Sequence, residues 1–249
     1  MKTVLIINSS AKKGNTCNLL SQIENLLKDH GFSTEIINLF DYKTEDCLGC
    51  QKCVLCGSCC ICDDVPSLMQ KMLSCDGIVL SSPVYIENVC GKLKTFMDRT
   101  YGWYHMPMIA DKPVLYTAAS YATGIRQIKQ AFRSISISWG TPHAGSVTRT
   151  VRDINKPVQI SEIKKLIKVL NEGNQIYSPS FYEINIFNVK KVMAQKSQGC
   201  DHEYWANHAL FDKMYYYNCK LSFAKNAFSK IVFIILMRAM GTSRDALCV

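Results

Sequence analysis

At 249 residues, 48% apolar and 20% charged, the chain can bury a substantial core, which excludes disorder. Its net charge of +9 is spread out: Lys12-Lys13, Lys164-Lys165 and Lys190-Lys191 are isolated pairs with no arginine-rich run, so nothing points to nucleic acid. Such lysines read as solvated, or as steering an anionic nucleotide or an acidic electron-transfer partner.

The opening MKTVLIINSS has too short an apolar stretch for a signal peptide and reads as a first buried strand over residues 4–7. Residues 15–30 place Leu19, Leu20, Ile23, Leu26 and Leu27 at helical spacing, with Gly31 suited to the position after the last turn. A second strand is expected at 34–39. A cysteine-rich loop follows, then a short helix at 66–73 with Asp63 or Asp64 near its start. Strands at 77–81, 113–118 and 141–147 alternate with helices at 92–99, 125–136 and 160–170. Five strands with intervening helices predict an α/β, flavodoxin-like doubly wound parallel sheet of order 2-1-3-4-5, covering residues 1–175.

Residues 176–249 are expected to form an aromatic-rich, mostly helical extension. Its apolar run at 231–237, bracketed by Lys230 and Arg238, is too short to span a bilayer. It reads as a helix buried on the domain or at a subunit interface, with an interfacial membrane helix as the alternative. The ending ALCV is not a prenylation box.

Two loops carry polar chemistry. Asn8 to Thr16 joins the first strand to the first helix, where small residues and free amides favour a phosphate. It has neither a Walker ending nor GxGxxG spacing, which argues against a conventional dinucleotide site. The second loop, Ser81 to Arg99, follows the third strand and faces the same crevice in the expected order. Its proline, apolar residue and aromatic form a wall suited to a planar ring, and Gly91 is expected to permit close packing of the next helix.

The pair SSAKKGNT and SPVYxxxxxGxLKxFxDR resembles the flavodoxin-like NAD(P)H-dependent FMN reductase family. The resemblance implies an FMN site in which Ser10, Lys12, Asn15 and Thr16 hold the phosphate and Pro83, Val84, Tyr85 and Asn88 line the ring. The first motif departs from the family's more usual Gly-Ser-Pro-Arg. The loop after the fourth strand, with Ala118, Ser120 and Gly124, closes the far side of the flavin or is an ordinary turn capped by Thr123.

Seven of the thirteen cysteines fall between Cys47 and Cys62. Without a secretion signal they are expected in the reducing cytoplasm, where thiol clusters bind metals or do redox work. Cys47, Cys50 and Cys53 suit three corners of a [4Fe–4S] cubane, with Cys56 or Cys59 as fourth ligand. Zinc lacks its usual second knuckle, and thiols without metal are the remaining option. The spacing Cys47-x2-Cys50-x2-Cys53-x5-Cys59 is similar to the iron–sulfur flavoprotein branch of the same family, which implies Cys59. Following strand two, the loop is expected at the same sheet edge as the crevice.

The expected function is an FMN-dependent oxidoreductase that passes electrons between flavin and cluster. NAD(P)H or a ferredoxin-like carrier is the expected donor, and a homodimer or higher homo-oligomer the expected assembly. The flavin carries the chemistry, so no catalytic acid or base is assigned. The alternatives are a cluster-free NAD(P)H-dependent FMN, quinone or nitro reductase, and a non-enzymatic electron carrier or redox sensor.

Overall fold

Alternation of apolar side chains in the first strand already sets two packed layers. In the computed structural model, which describes residues 1–11 and 14–240, β1 (Thr3–Asn8) sends Val4 and Ile6 to one face of a sheet and Leu5 and Ile7 to the other. The first face packs on α1 (Asn15–Asp29) through Leu19, Ile23 and Leu27, and on α7 (Ile160–Glu172) through Ile163 and Leu166. The second packs on α3 (Val65–Ser74), α4 (Gly91–Arg99) and α6 (Ile125–Trp139) through Leu68, Met72, Leu93, Phe96, Phe132 and Trp139. Each such fully buried side chain contributes roughly 1.5–3 kcal/mol.

The remaining strands are β2 (Ser33–Asn38), β3 (Gly77–Tyr85), β4 (Asn88–Val89), β5 (Val114–Ala119) and β6 (His143–Arg149). The parallel strands run β2-β1-β3-β5-β6, which is the expected order with β4 left out. β4 is a sixth strand that the sequence reading did not contain; it pairs antiparallel with the end of β3. Its two-residue turn puts Ile86 and Glu87 at φ 48° and 59°. Two short helices were also not foreseen, α2 (Lys52–Leu55) and α5 (Gly102–His105).

Local signals account for the ends of α1. Gly31 takes φ +82°, and the amides of Phe32 and Gly31 donate to the carbonyls of Leu27 and Lys28 at 3.1 and 2.9 Å, the pairing of a Schellman cap. By contrast, α6 begins at Gly124, φ +87°, with no side-chain cap, so the expected Thr123 cap does not form. Gly91 is not needed for packing either, since a Cβ there would meet no atom within 4 Å.

The C-terminal helices, α8 (Phe181–Lys196), α9 (Cys200–Asn207) and α10 (Phe223–Ala239), gather a third core around Ile184, Phe187, Trp205, Leu210, Tyr215 and Tyr216. Lys190 and Lys191, read as solvated, are buried. Lys190 Nζ donates to the Ser138 and Ile137 carbonyls at 2.6 and 3.3 Å and lies 4.2 Å from the Tyr104 ring centroid, so it fastens α8 to the last turn of α6. Burial lowers its pKa to about 7. Even as a neutral amine it retains hydrogens for both carbonyls. α10 packs on α8 and half-buries Val232, Phe233 and Leu236, but Ile231, Ile234 and Ile235 are exposed, so only one side of the apolar run is covered by the domain. No described helix is long and apolar enough to cross a membrane. The expected prenylation-negative terminus around Cys248 lies outside the described residues.

Gly140, at φ +74° beyond α6, is a close contact between the sheet unit and the extension: a Cβ there would lie 2.7 Å from the Tyr216 ring. Left-handed strain and overpacking together predict that Gly140→Ala costs about 3 kcal/mol, measured by urea unfolding.

Candidate functional site

Three loops meet at the carboxyl ends of β1, β3 and β5, and hydrogen bonds tie the first two together. The Ser9 hydroxyl donates to the Ser81 carbonyl at 2.6 Å, the Ser81 hydroxyl to the Ile7 carbonyl at 3.0 Å, and the Cys90 thiol to the Ser9 carbonyl at 3.2 Å. Asn8 folds the chain over itself: its Oδ1 accepts from the Ser10 amide at 3.0 Å, and its Nδ2 donates back to the Ser10 carbonyl at 3.3 Å. Asn38 Nδ2 reaches the same carbonyl from β2 at 3.2 Å. α1 then starts at Gly14, which has no side chain to cap the helix, with no acidic residue in its first turn and, among the described residues, open space where a Gly14 side chain would lie. The start of a helix attracts an anion.

On this frame Ser10 is half-buried, Asn15 exposed and Thr16 buried; Lys12 lies outside the described residues. Pro83 is buried, Val84 half-buried and Tyr85 exposed along the end of β3, and Asn88 is exposed opposite Tyr85 in β4. Asn88 Oδ1 accepts from the Val89 amide at 2.8 Å. Ala118 is fully buried in the core below the rim, which leaves it only backbone to offer. The Ser120 hydroxyl donates to the Thr123 carbonyl. Gly124 permits the far loop to approach the β3–β4 hairpin: a Cβ there would come within 2.7 Å of Val84 Cγ1. The three loops therefore lie side by side at the carboxyl edge of the sheet, with Tyr85 and Tyr121 exposed on two of them.

The cysteine loop leaves β2 at this edge but does not stay there. Lys92 Nζ donates to the Tyr42 carbonyl at 2.9 Å, the Thr95 hydroxyl to Asp46 Oδ1 at 3.0 Å, and Arg99 Nη1 to the Glu45 carbonyl at 3.0 Å. The loop is thus laid along α4, and its cysteines hang beside the far end, about 12 Å down the helix axis from Gly91. Its anchor is a fully buried ion pair: both Arg99 Nη atoms bond the Asp63 carboxylate, Nη2 to Oδ1 at 3.0 Å. Asp63 also accepts from the amides of Glu45 at 2.9 Å and Val65 at 3.1 Å, closing the neck of the loop. Arg99 Nη2 further donates to Cys59 Sγ at 3.4 Å.

Beyond that neck the thiols crowd together. Burial raises the Cys53 thiol above its ordinary value, and the proximity of Cys59, Cys47 and Cys50 raises it further. Cys53 packs on α5, where a Cβ at Gly102 would lie 3.4 Å from its own Cβ. Cys50 is lowered by the Lys52 amide and by a hydrogen bond with Cys60, whose sulfur is 3.5 Å away. Among the described residues, no three His, Cys, Asp or Glu side chains converge as a single ion would require. A cubane instead takes each thiolate on its own iron, around a volume.

A family model for the NADPH-dependent FMN reductases matches residues 1–154. The chain belongs to that family. Among curated relatives it is 41% identical over 100 residues to an iron–sulfur flavoprotein of Methanocaldococcus jannaschii, covering 40% of this chain and 52% of the relative. It is 35% identical over 112 residues to one of Archaeoglobus fulgidus, covering 45% and 51%. These similarities set it beside the iron–sulfur flavoprotein branch, and the chain spans about half the length of the curated relatives it matches. Among solved structures, RosB with a bound 8-demethyl-8-formylriboflavin-5'-phosphate intermediate aligns over 100% of this chain and 90% of its own, at TM-score 0.54 and 12% identity. An azoreductase from Bacillus anthracis aligns over 69% of this chain and 100% of its own, at 0.50 and 12%. At such identities these two speak for the shared fold.

Sequence reasoning missed Arg99 and Cys200 as parts of the site. Arg99 was visible only as the last letter of the LKxFxDR pattern. Cys200, from α9, donates its thiol to the Leu55 carbonyl at 3.2 Å and so brings the C-terminal helices onto the cysteine loop. No spacing signal joins residues 145 apart.

Burial alone would raise the Asp63 pKa, but the Arg99 hydrogen bonds and the Glu45 and Val65 amides outweigh it and hold the carboxyl below its ordinary range. A depressed carboxyl stabilises the fold above the unfolded value and loses that contribution as pH falls through the folded one. Arg99→Ala, which strands a buried carboxylate, is expected to cost about 3–5 kcal/mol at neutral pH. Urea unfolding across pH should show the gap to wild type narrowing in acid.

Proposed function

We propose that the chain is an FMN-dependent oxidoreductase whose cysteine loop ligates a [4Fe–4S] cluster. The crevice suits the flavin by its chemistry. The positive end of α1, with Ser10, Asn15, Thr16 and Lys12, would hold a phosphate. Pro83, Val84, Tyr85 and Asn88 form one wall, and Ser120, Gly124 and the Ala118 backbone the other. Bound there, FMN supplies two-electron acceptance with one-electron release, and a cluster supplies single-electron storage. Neither task requires a side chain to act as acid or base; the residues bind, orient and shield.

Cys47, Cys50, Cys53 and Cys59 are the proposed ligands. The observation that carries this reading is the spacing Cys47-x2-Cys50-x2-Cys53-x5-Cys59 in an exposed thiol-rich loop, in a chain similar to iron–sulfur flavoproteins. Arg99 supports Cys59 in preference to Cys56, because its guanidinium donates to the Cys59 sulfur at 3.4 Å and would orient it as a ligand. The electron donor in this proposal is NAD(P)H or a ferredoxin-like carrier, the compartment is the cytoplasm and the working form a homodimer or higher homo-oligomer. Residues 1–175 form the FMN-binding unit, and 176–249 an extension that braces the cysteine loop through Cys200.

The visible spectrum of anaerobically purified protein, with iron and acid-labile sulfide assays, tests this. Flavin bands over a broad shoulder, with about four irons per chain, are expected. Flavin bands without iron would leave the cluster-free reductase, and failure to bind FMN would remove the crevice assignment. Cys59→Ser should lose iron and Cys56→Ser retain it; the reverse would reassign the fourth ligand.

A further inference from the structure

α10 is apolar on both of its sides. One side packs on α8, where Ser229 is buried and its hydroxyl accepts from Asn188 Nδ2 at 2.9 Å. The other carries Phe223 (89% exposed), Ile231 (57%), Ile234 (50%) and Ile235 (57%). At 3.6 residues per turn these share one face with the exposed Lys230 and Arg238. Phe181, partly exposed at the start of α8, continues the patch, with its ring edge-on to Phe228 at 5.0 Å between centroids. A helix apolar all round belongs against something on each side, and a contiguous exposed apolar patch marks an interaction surface.

Charge selects what covers it. From Lys213 to Arg244 the sequence holds no Asp or Glu, but it holds Lys213, Lys220, Lys225, Lys230, Arg238 and Arg244. Lys230 sits at the middle of α10, among the isoleucines. A second copy docked on this face about a two-fold axis would set Lys230 against its own copy, with no carboxylate on either helix to compensate. A layer of anionic headgroups meets Lys230 and Arg238, the charges on this face, with their opposite. Lys230 and Arg238 can lay their aliphatic stems along the helix and place their charges at the headgroups, while Phe223, Ile231, Ile234 and Ile235 enter the acyl boundary. The helix is then one that lies in the surface, in keeping with its being too short to cross.

We propose that the outward face of α10 docks on an anionic lipid bilayer. The surface is independent of the flavin and cluster assignments, and any homo-oligomer of this chain would use another face.

Sedimentation of the full chain with phosphatidylcholine vesicles, with and without phosphatidylglycerol, tests it. The chain is expected to pellet with the anionic vesicles and to stay in solution with phosphatidylcholine alone. Lys230→Gln with Arg238→Gln should weaken partitioning by roughly tenfold or more, since each basic side chain near an anionic surface adds roughly a factor of five. Ile231→Ser with Ile234→Ser should abolish it. These side chains are exposed, and unchanged far-ultraviolet circular dichroism verifies that both variants fold. Absence of pelleting with anionic vesicles overturns the proposal. So does binding that neither variant weakens, or a solution dimer that Ile231→Ser with Ile234→Ser converts to monomer, which would give the face to a second copy.

Discussion

The cysteine loop buries almost none of its own side chains, and it depends on one buried contact, the Arg99–Asp63 pair. Leu48 and Leu55 are exposed, and among Cys47 to Cys62 no residue is fully buried. A segment of that kind cannot be held by hydrophobic burial. Instead Asp63 gathers two backbone amides and both arms of Arg99 at the neck of the loop, and Arg99 spends a further donor on Cys59. A buried pair of this sort adds little net stability over an apolar substitute, because both charges lose their water. What it provides is a defined position for the thiols, because its partners are spatially fixed: α4 carries Arg99, and α4 is itself held to the sheet by Leu93 and Phe96.

The same helix relates the two parts of the site. Its start lies by Cys90, whose thiol donates to Ser9 in the crevice loop, and its end holds the cysteine neck. The β1 loop and the neck of the cysteine loop are therefore held at opposite ends of one helix, about 12 Å apart along its axis. At the crevice mouth, Ile86 and Glu87 both take left-handed backbone where Asn-Gly is usual, and strain of this kind costs roughly 1–3 kcal/mol per residue. Surrounding contacts offset it: Gln127 Nε2 donates to Glu87 at 2.9 Å, and Gly124 leaves room for the turn to pack. Strained turns retained in this way are found at ligand sites more than elsewhere.

Much of this was legible in the sequence, for identifiable reasons. Strands and helices of the sheet unit carry period-2 and period-3.6 apolar patterns, and each expected element appears within a few residues of its place. The two crevice loops were legible because a doubly wound sheet puts successive strand-to-helix turns at one edge. The path of the cysteine loop was not. A loop without regular structure takes its course from side-chain contacts such as Lys92 to Tyr42 and Thr95 to Asp46, which leave no periodic trace. β4 was hidden for a related reason, since Ile86-Glu87 does not read as a turn. Lys190 misled because a lysine pair looks solvated until its acceptors, two carbonyls at the end of α6, are found 52 and 53 residues away in sequence. The exposed face of α10 misled in the opposite direction: seven apolar residues in a row read as buried, and composition carries no record of which side meets a partner.

The central claim is that the loop is ordered by Arg99 and Asp63 before any metal binds. Amide hydrogen exchange of the metal-free protein tests it directly. The Glu45 and Val65 amides, which donate to Asp63, and the Lys43 amide, which donates to Asp64 at 2.7 Å, should be protected in the wild type. In Asp63→Asn the Glu45 and Val65 amides should lose that protection while amides of β1 keep theirs. Exchange of all three at the rate of an unfolded chain in the metal-free wild type would contradict the account and make the metal, not the ion pair, the organiser of the loop.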